Sequence, residues 1–336
     1  IVFFCGSACS GFGTLQGGSK VNEYGITVVM AVYNPRPDWL REQLLSLNAQ
    51  TDRDVILCAR DDGSTSISFA ALQAIFAECI TTFPYRLTQN AQNQGSNATF
   101  AALTAEVTTP YIAYCDQDDV WEPHKLQRSR QTLCGDGCEL VCSDVSIIDG
   151  EGRQTAPSLT SIKPHIHYLS GDDLAPVFLT TNFVTGCTVL MKTDLAQSAL
   201  PFPSKMVYDH WLGMVAAHRG KIVALADTLV RHRMHNSNQT LTMAGIATKS
   251  DYLQKRILPY AQQMDMLHSR IDLGMSQRQA EAWAHARVEN AQHGSAKALF
   301  ALKHVSPSIT WFELLMRWLP NSFFAWLIRC MQKGVL

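Results

Sequence analysis

The regular alternation of short apolar runs with helix-like segments between residues 26 and 148 constrains the fold more than any other feature of this chain. The first run, 26–33, is continuously apolar, which is typical of a strand covered on both faces. Helix-like and strand-like segments then follow in turn at 37–48, 54–59, 66–80, 85–88, 96–106, 110–115 and 123–133. This alternation predicts βαβ units in an α/β fold, with a mostly parallel, Rossmann-like sheet flanked by helices.

Polar residues follow three of the predicted strands. Tyr33 and Asn34 follow the first, the sequence DDGS at 61–64 follows the second, and DQDD at 116–119 follows the fourth. Ligands of open α/β sheets bind beyond the carboxyl ends of the strands. We therefore expect these three segments to converge in space around a binding site.

Three carboxylates lie within four residues at the end of the fourth strand: Asp116, Asp118 and Asp119. Like charges this close repel one another, so they require a cation or a solvated loop. Carboxylate oxygens are suitable ligands for Mg²⁺ or Mn²⁺. The alternative is an N-cap for the helix that is expected to have Pro123 in its first turn. Three acids exceed what capping needs, so we favour a metal site at Asp116 and Asp118, with Asp119 largely a helix cap.

Three other polar segments have two interpretations each. Asp62 either binds a base or ribose, or forms an ordinary Asp-Gly turn. Asp209 begins a predicted helix, where an Asp is most often a cap but can also act as a general base. The segment 231–238 contains Arg233 and His235 among two Arg and two His. This density favours phosphate or metal binding over a solvated turn.

Composition and missing motifs exclude several functions. The formal net charge of -1 gives no indication of nucleic-acid binding. The chain has no P-loop, no GxGxxG after the first strand and no GxSxG elbow. Its ten cysteines have no zinc-type pairing, so free thiols in a reducing compartment are expected. Residues 1–25 form a poor signal peptide, and we interpret them as a flexible lead-in or an expression remnant.

Taken in order, VVMAVYN at 28–34, DDGS at 61–64 and DQDDVW at 116–121 resemble an inverting GT-A glycosyltransferase of family 2. Three further segments resemble the rhamnosyltransferase-like branch of that family: FVTGCTVLMK at 183–192, YDHWLG at 208–213 and RMHNSN at 233–238. The resemblance covers about 26–240. It implies a GT-A domain over 26–240 and a C-terminal helical extension over 241–336.

The resemblance also implies roles for the donor site. Asn34 and Asp62 would lie near the nucleotide, and Asp116 and Asp118 would form the DxD pair, with Asp118 the closer ligand of Mg²⁺ or Mn²⁺. His235 would approach the diphosphate or the metal. The donor would be dTDP-rhamnose or a UDP-sugar.

For catalysis, the resemblance implies that Asp209 is the base, although many relatives have Glu-Asp at this position. Gly186 would face the sugar and the acceptor, and Arg233 would aid the leaving diphosphate. The acceptor would be a bacterial surface glycan, such as an O-antigen, or its lipid-linked precursor. The enzyme would then be cytoplasmic or peripheral at the inner face of the cytoplasmic membrane.

Two alternatives belong to other functional classes. A sugar nucleotidyltransferase would need a glycine-rich basic loop after the first strand, which NPRP at 34–37 does not supply. A non-catalytic nucleotide-sugar or glycan-binding module would lose the metal and base acids, yet Asp116, Asp118 and Asp209 are all present.

The C-terminal segment 308–336 is rich in Trp and Phe with interspersed Arg and Lys. Such short helices suit peripheral contact with a membrane. The alternative, equally supported, is packing on the catalytic domain or dimerisation with a second subunit. No run reaches the roughly 18 apolar residues of a spanning helix.

Overall fold

The computed structural model describes residues 25–235, 243 and 245–332. The predicted lead-in, apart from Gly25, and residues 236–238 of the RMHNSN segment lie outside these ranges. The strands are β1 Ile26–Val32, β2 Val55–Asp61, β3 Tyr85–Gln89, β4 Tyr111–Cys115, β5 Val120–Trp121, β6 Cys138–Ile148, β7 Gln154–Ala156, β8 Leu190–Lys192 and β9 Lys221–Arg233.

The first seven helices accompany this sheet: α1 Pro37–Asn48, α2 Phe69–Cys79, α3 Ser96–Ala105, α4 Lys125–Leu133, α5 Leu159–Ile162, α6 Thr193–Ser198 and α7 Tyr208–Arg219. Short 3-10 turns cover Ala175–Leu179 and Gly186–Thr188. The C-terminal helices are α8 Lys249–Tyr252, α9 Leu258–His268, α10 Gly274–His293, α11 Ala296–Ala301, α12 Pro307–Met316 and α13 Asn321–Gln332, with a π-turn at Leu253–Ile257.

The strands form one sheet in the order β3-β2-β1-β4-β8-β6-β9-β5, and β7 pairs with β6. Strands β3, β2, β1 and β4 are parallel, so their carboxyl ends share one edge. Strand β8 runs antiparallel between β4 and β6. The predicted α/β class, a mostly parallel sheet flanked by helices with a C-terminal helical extension, is confirmed.

The sheet separates two hydrophobic cores, which explains the apolar runs. Val28 and Met30 pack into one core together with α1 and α2, whereas Val29 packs into the other with α3 and α7. Helices α9 and α10 contribute to that second core, where the Tyr260 hydroxyl donates to the Leu179 carbonyl at 2.7 Å. The cysteines within the described residues are free thiols.

Helix α4 differs from its prediction. It begins at Lys125 rather than at 123, and Pro123 lies in a turn before it. The carbonyl of Pro123 accepts a hydrogen bond from the Thr51 amide at 2.9 Å. This contact holds Pro123 against the loop after α1, and the helix begins two residues later than predicted.

Candidate active site

The three polar strand ends line one cleft of about 840 Å³, as the sequence predicts. The Tyr33 amide donates to Gln117 Oε1 at 2.8 Å and so joins the end of β1 to the acid loop, residues 116–119. Predicted site residues in the cleft wall are Asn34, Asp62, Asp116, Asp118, Gly186, Asp209 and His235. Thr185, Gln117 and His232, which belong to segments expected at the site, also line it, whereas Trp39 and Asn97 were not predicted.

Asp62 forms a fixed part of the wall. Its Oδ1 accepts from the Asn90 side chain at 2.7 Å and from the Gln94 amide at 2.9 Å, and its Oδ2 accepts from the Gly95 amide at 2.8 Å. Asp62 is only 2% exposed, and its carboxylate already accepts hydrogen bonds from three donors. It therefore holds the loop before α3 against the end of β2.

Asn34 shapes the neighbouring loop. Its amide donates to Ser64 Oγ at 2.8 Å, and its side-chain oxygen accepts from the Thr65 and Ser66 amides at 2.7 and 2.9 Å. Its φ of 43° lies in the left-handed region, which Asn tolerates better than most residues. Asn34 thus clamps the DDGS loop to the end of β1.

The acid loop carries concentrated negative charge. Burial and the charges of Asp119 and Asp118 raise the pKa of Asp116 well above its ordinary value. Burial and Asp119 likewise raise the pKa of Asp118, although its Oδ2 accepts from His235 Nε2 at 2.8 Å. No hydrogen-bond donor in the part of the chain described here serves the Asp116 carboxylate. A divalent cation would relieve both the repulsion and the missing partners, and oxygen donors suit Mg²⁺ or Mn²⁺.

Asp119 does not cap α4, so that prediction is wrong. The N-cap residue is His124, which makes no side-chain capping bond. Asp119 is fully buried, and its Oδ1 accepts from His232 Nδ1 at 2.9 Å and from the Arg233 amide at 3.0 Å. Burial alone would lower the pKa of His232, but the Asp119 carboxylate outweighs it and raises that pKa to about 9. The pair places a cationic imidazole in the cleft wall.

Asp119, Cys187 and His232 also form a second group with metal-ligand chemistry, because one donor atom of each lies within 4.8 Å of the others. Sulfur, nitrogen and oxygen together suit zinc better than Mg²⁺. Asp119 and His232 already bond to each other. The carboxylates of Asp116 and Asp118 therefore suit a Mg²⁺ or Mn²⁺ ion better than this second group does.

Asp209 is the second residue of α7 and lies in its first turn, whereas Val207 is the N-cap residue. Its Oδ2 accepts from the Gly186 amide at 3.1 Å, and its Oδ1 accepts from the Asn182 side chain at 3.2 Å. Burial nevertheless raises its pKa to about 6. Asp209 and Asp116 both line the cleft. A carboxylate in this state can accept a proton near neutral pH.

Gly186 is required by the packing beside Asp209. A Cβ at this position would lie 2.1 Å from the Tyr208 hydroxyl oxygen. The Tyr208 ring packs against Phe100 and Tyr114, with centroids 4.4 and 5.2 Å away. The Tyr208 amide donates to Asn97 Oδ1 at 3.0 Å, a contact that fixes the start of α7.

Arg233 is not part of the cleft wall. Its side chain is fully buried and forms an ion pair with Glu42 of α1. Its Nε donates to the Asp118 carbonyl at 2.8 Å, and its Nη1 donates to the Asp149 carbonyl at 3.0 Å. Arg233 therefore supports the backbone of the acid loop from behind, whereas the neighbouring His235 lies in the cleft.

Comparisons with known proteins agree with this geometry. The model of the family "Glycosyl transferase family 2" matches residues 27–198, which is more than half of the chain. An uncharacterised glycosyltransferase of Nostoc sp. is 27% identical over 234 residues, which cover 67% of this chain and 70% of the relative.

Two solved glycosyltransferase structures share the fold. S. aureus TarS, in complex with UDP-GlcNAc, has a TM-score of 0.56 at 14% identity, covering 92% of this chain and 89% of that one. The mannosyltransferase PcManGT from Pyrobaculum calidifontis, in complex with GDP-Man and Mn²⁺, has a TM-score of 0.56 at 14% identity, covering 96% and 89%. The fold is therefore of the GT-A type, and the family match shows that this chain is a glycosyltransferase that belongs to glycosyl transferase family 2.

Proposed function

We propose that this chain is an inverting glycosyltransferase that moves a sugar from a nucleotide-diphosphate donor to a hydroxyl of a bacterial surface glycan or its lipid-linked precursor. One observation carries the proposal: Asp209, whose carboxylate is held by the Gly186 amide and the Asn182 side chain, shares one cleft with the Asp116 and Asp118 pair. A proton acceptor beside a cation-binding pair suits attack by a hydroxyl on a donor with a charged leaving group.

In this proposal, Asp116, Asp118 and His235 hold a divalent metal, Mg²⁺ or Mn²⁺. When bound, the ion would neutralise charge that develops on the leaving diphosphate. His232, which Asp119 holds in its charged form, adds positive charge to the same wall. Asn34 and Asp62 form the nucleotide end of the cleft, where they shape the wall through the loops they hold.

At the other end, Asp209 accepts the proton of the acceptor hydroxyl as that hydroxyl attacks the anomeric carbon. The Gly186 amide and the Asn182 side chain orient the carboxylate for this step. A single displacement from the opposite face inverts the anomeric configuration. No nucleophile from the protein is needed in such a mechanism.

Rhamnose, carried as dTDP-rhamnose, is the first candidate sugar because 183–192 and 208–213 resemble the rhamnosyltransferase-like branch. UDP-sugars are the second candidate. TarS and the Pyrobaculum mannosyltransferase were solved with UDP-GlcNAc and GDP-Man, so the shared fold accommodates different nucleotides. The proposal places the chain in the cytoplasm or at the inner face of the cytoplasmic membrane.

The test is a donor screen with Mn²⁺ or Mg²⁺ that reads release of the nucleoside diphosphate and the anomeric configuration of the product. The screen compares dTDP-rhamnose, UDP-sugars and GDP-mannose. Asp209→Asn should lose turnover and keep donor affinity, whereas the exposed Asp136→Asn serves as a matched control with normal turnover. Near-normal turnover of Asp209→Asn would refute the base role, and a product with retained configuration would refute inversion.

A further inference from the structure

The C-terminal helices present large aromatic side chains to solvent. Trp318 is 77% exposed, and Trp311 and Trp326 are each 48% exposed. We define the aromatic surface as Phe300, Trp311, Leu315, Trp318, Phe323 and Trp326, each at least 44% exposed. Within it, the Phe300 and Trp311 rings lie 5.6 Å apart, and the Phe323 and Trp326 rings lie 5.3 Å apart. Exposed aromatic residues grouped in this way mark a docking surface.

Packing on the opposite face fixes the orientation of these helices. Glu313 of α12 is fully buried and pairs with Arg287 of α10 at 2.6 Å, and it also accepts from the Tyr252 hydroxyl at 3.1 Å. Phe324 and Ile328 of α13 are fully buried in the same cluster as Tyr252. Both helices therefore already have a buried side, and their members of the aromatic surface, Trp311 and Leu315 of α12 and Phe323 and Trp326 of α13, are exposed.

The exposed charges of the segment that bears the aromatic surface, residues 296–332, are all positive. Within these residues, Lys297, Lys303, Arg317 and Arg329 are exposed, and the single acid, Glu313, is buried and paired, while the preceding acid in the sequence, Glu289 of α10, is exposed. The Lys303 ammonium lies 4.0 Å from the Phe300 ring centroid, and the Arg317 guanidinium lies 5.7 Å from that of Trp318. Aromatic rings interleaved with cations favour the headgroup region of an anionic bilayer.

A second copy of the chain fits this surface less well. A two-fold interface places the same patch of both subunits face to face. Four exposed cations on each side would then oppose one another without an exposed acid of the same segment to pair with, and like charges across an interface are unfavourable. An anionic lipid surface supplies the opposite charge instead.

We propose that the aromatic surface docks the enzyme on an anionic lipid bilayer. Within the described part of the chain, no helix combines the length and apolar character required to cross a bilayer. The inference rests on the proposed function only in one respect, namely that docking would bring the cleft to a lipid-linked acceptor. The binding itself is independent of catalysis.

The test is flotation of the full chain with vesicles of phosphatidylcholine, with and without phosphatidylglycerol. The wild type should float with the anionic vesicles and lose binding at high salt. The combined variant Trp311→Ser, Trp318→Ser and Trp326→Ser should bind at least about tenfold more weakly. Arg317→Glu should weaken binding at least about fivefold, the value of one surface cation.

The matched control replaces Leu45 and Met275 by Ser, because these apolar side chains are 52% and 62% exposed on other helices. It should float like the wild type, and circular dichroism melts should show that all variants are folded. Equal flotation of the triple Trp variant and the control would overturn the proposal. Failure of the wild type to float would also overturn it, and a dimer that the triple variant abolishes in light scattering would assign the surface to a second copy.

Release of the nucleoside diphosphate in the absence of vesicles separates this inference from the proposed function. The triple Trp variant should retain wild-type release, because its changes lie outside the cleft. If the wild type floats with the vesicles but neither it nor the variants release the nucleoside diphosphate, the docking surface is supported and the proposed chemistry is refuted. If the wild type releases the nucleoside diphosphate but does not float, the proposed chemistry is supported and the docking surface is refuted.

Discussion

Replacement of Asp209 by Asn should stabilise the folded chain above neutral pH and should have little such effect in acid. Burial raises the pKa of Asp209 from an ordinary value of 3.8 to about 6, and the residue is partly buried in the cleft wall. Between these two pKa values the folded chain binds one proton more than the unfolded chain. The free energy of unfolding therefore falls as the pH rises through this window. At about 1.4 kcal/mol per pKa unit, the full cost is about 3 kcal/mol above the folded pKa.

The assay is urea unfolding of wild type and Asp209→Asn from about pH 4 to about pH 8 in buffer with a chelator. The difference in unfolding free energy should shift in favour of Asn by about 2.5 kcal/mol across this range and then level off. Altered hydrogen bonds to Gly186 and Asn182 would add an offset that does not vary with pH. A flat difference for Asp209→Asn would refute the raised pKa, and with it the physical reason for a base that is poised near neutral pH.

Three further changes test other parts of the structure. Asp118→Ala should abolish the Mn²⁺-dependent part of donor affinity in calorimetry, and an unchanged metal effect would exclude it as a ligand. Gly186→Ala should lower the unfolding free energy by about 1–3 kcal/mol and reduce kcat, because the new Cβ would clash with Tyr208; normal values of both would contradict the packing described. Glu313→Ala should cost about 3–5 kcal/mol in denaturant unfolding, because it leaves Arg287 buried without its partner carboxylate, and a loss below about 1 kcal/mol would show that the pair is solvated.

The parallel half of the sheet was predictable because its strands are buried on both faces. Val28, Val29 and Met30 alternate between two cores, yet each needs only to be apolar, so a continuous run suffices to identify the strand. Helix 37–48 coincides with α1, and the polar strand ends meet because parallel strands share one edge. Local composition therefore contained most of what positions the cleft.

The partners of the acid loop could not be read from local sequence. Asp119 precedes Pro123 by four residues, a spacing that resembles a cap, but its partner His232 lies 113 positions away on β9. Arg233 stands among polar residues, which favours a solvated or phosphate-binding interpretation. Its buried guanidinium is paired with Glu42, which belongs to α1. Such pairings arise only when the sheet brings β9 beside β5.

The hydrogen bonds between the acid loop and the residues at the end of β9 also determine where this enzyme can be joined to a relative in a chimera. The family match ends at residue 198, but Asp119 is bonded to His232 and Asp118 to His235, both well beyond that point. A chimera joined at 198 would combine an acid loop from one parent with the supporting strand of the other. We therefore expect exchange of donor specificity between relatives to succeed only with a junction after residue 235, which keeps both halves of this network from one parent.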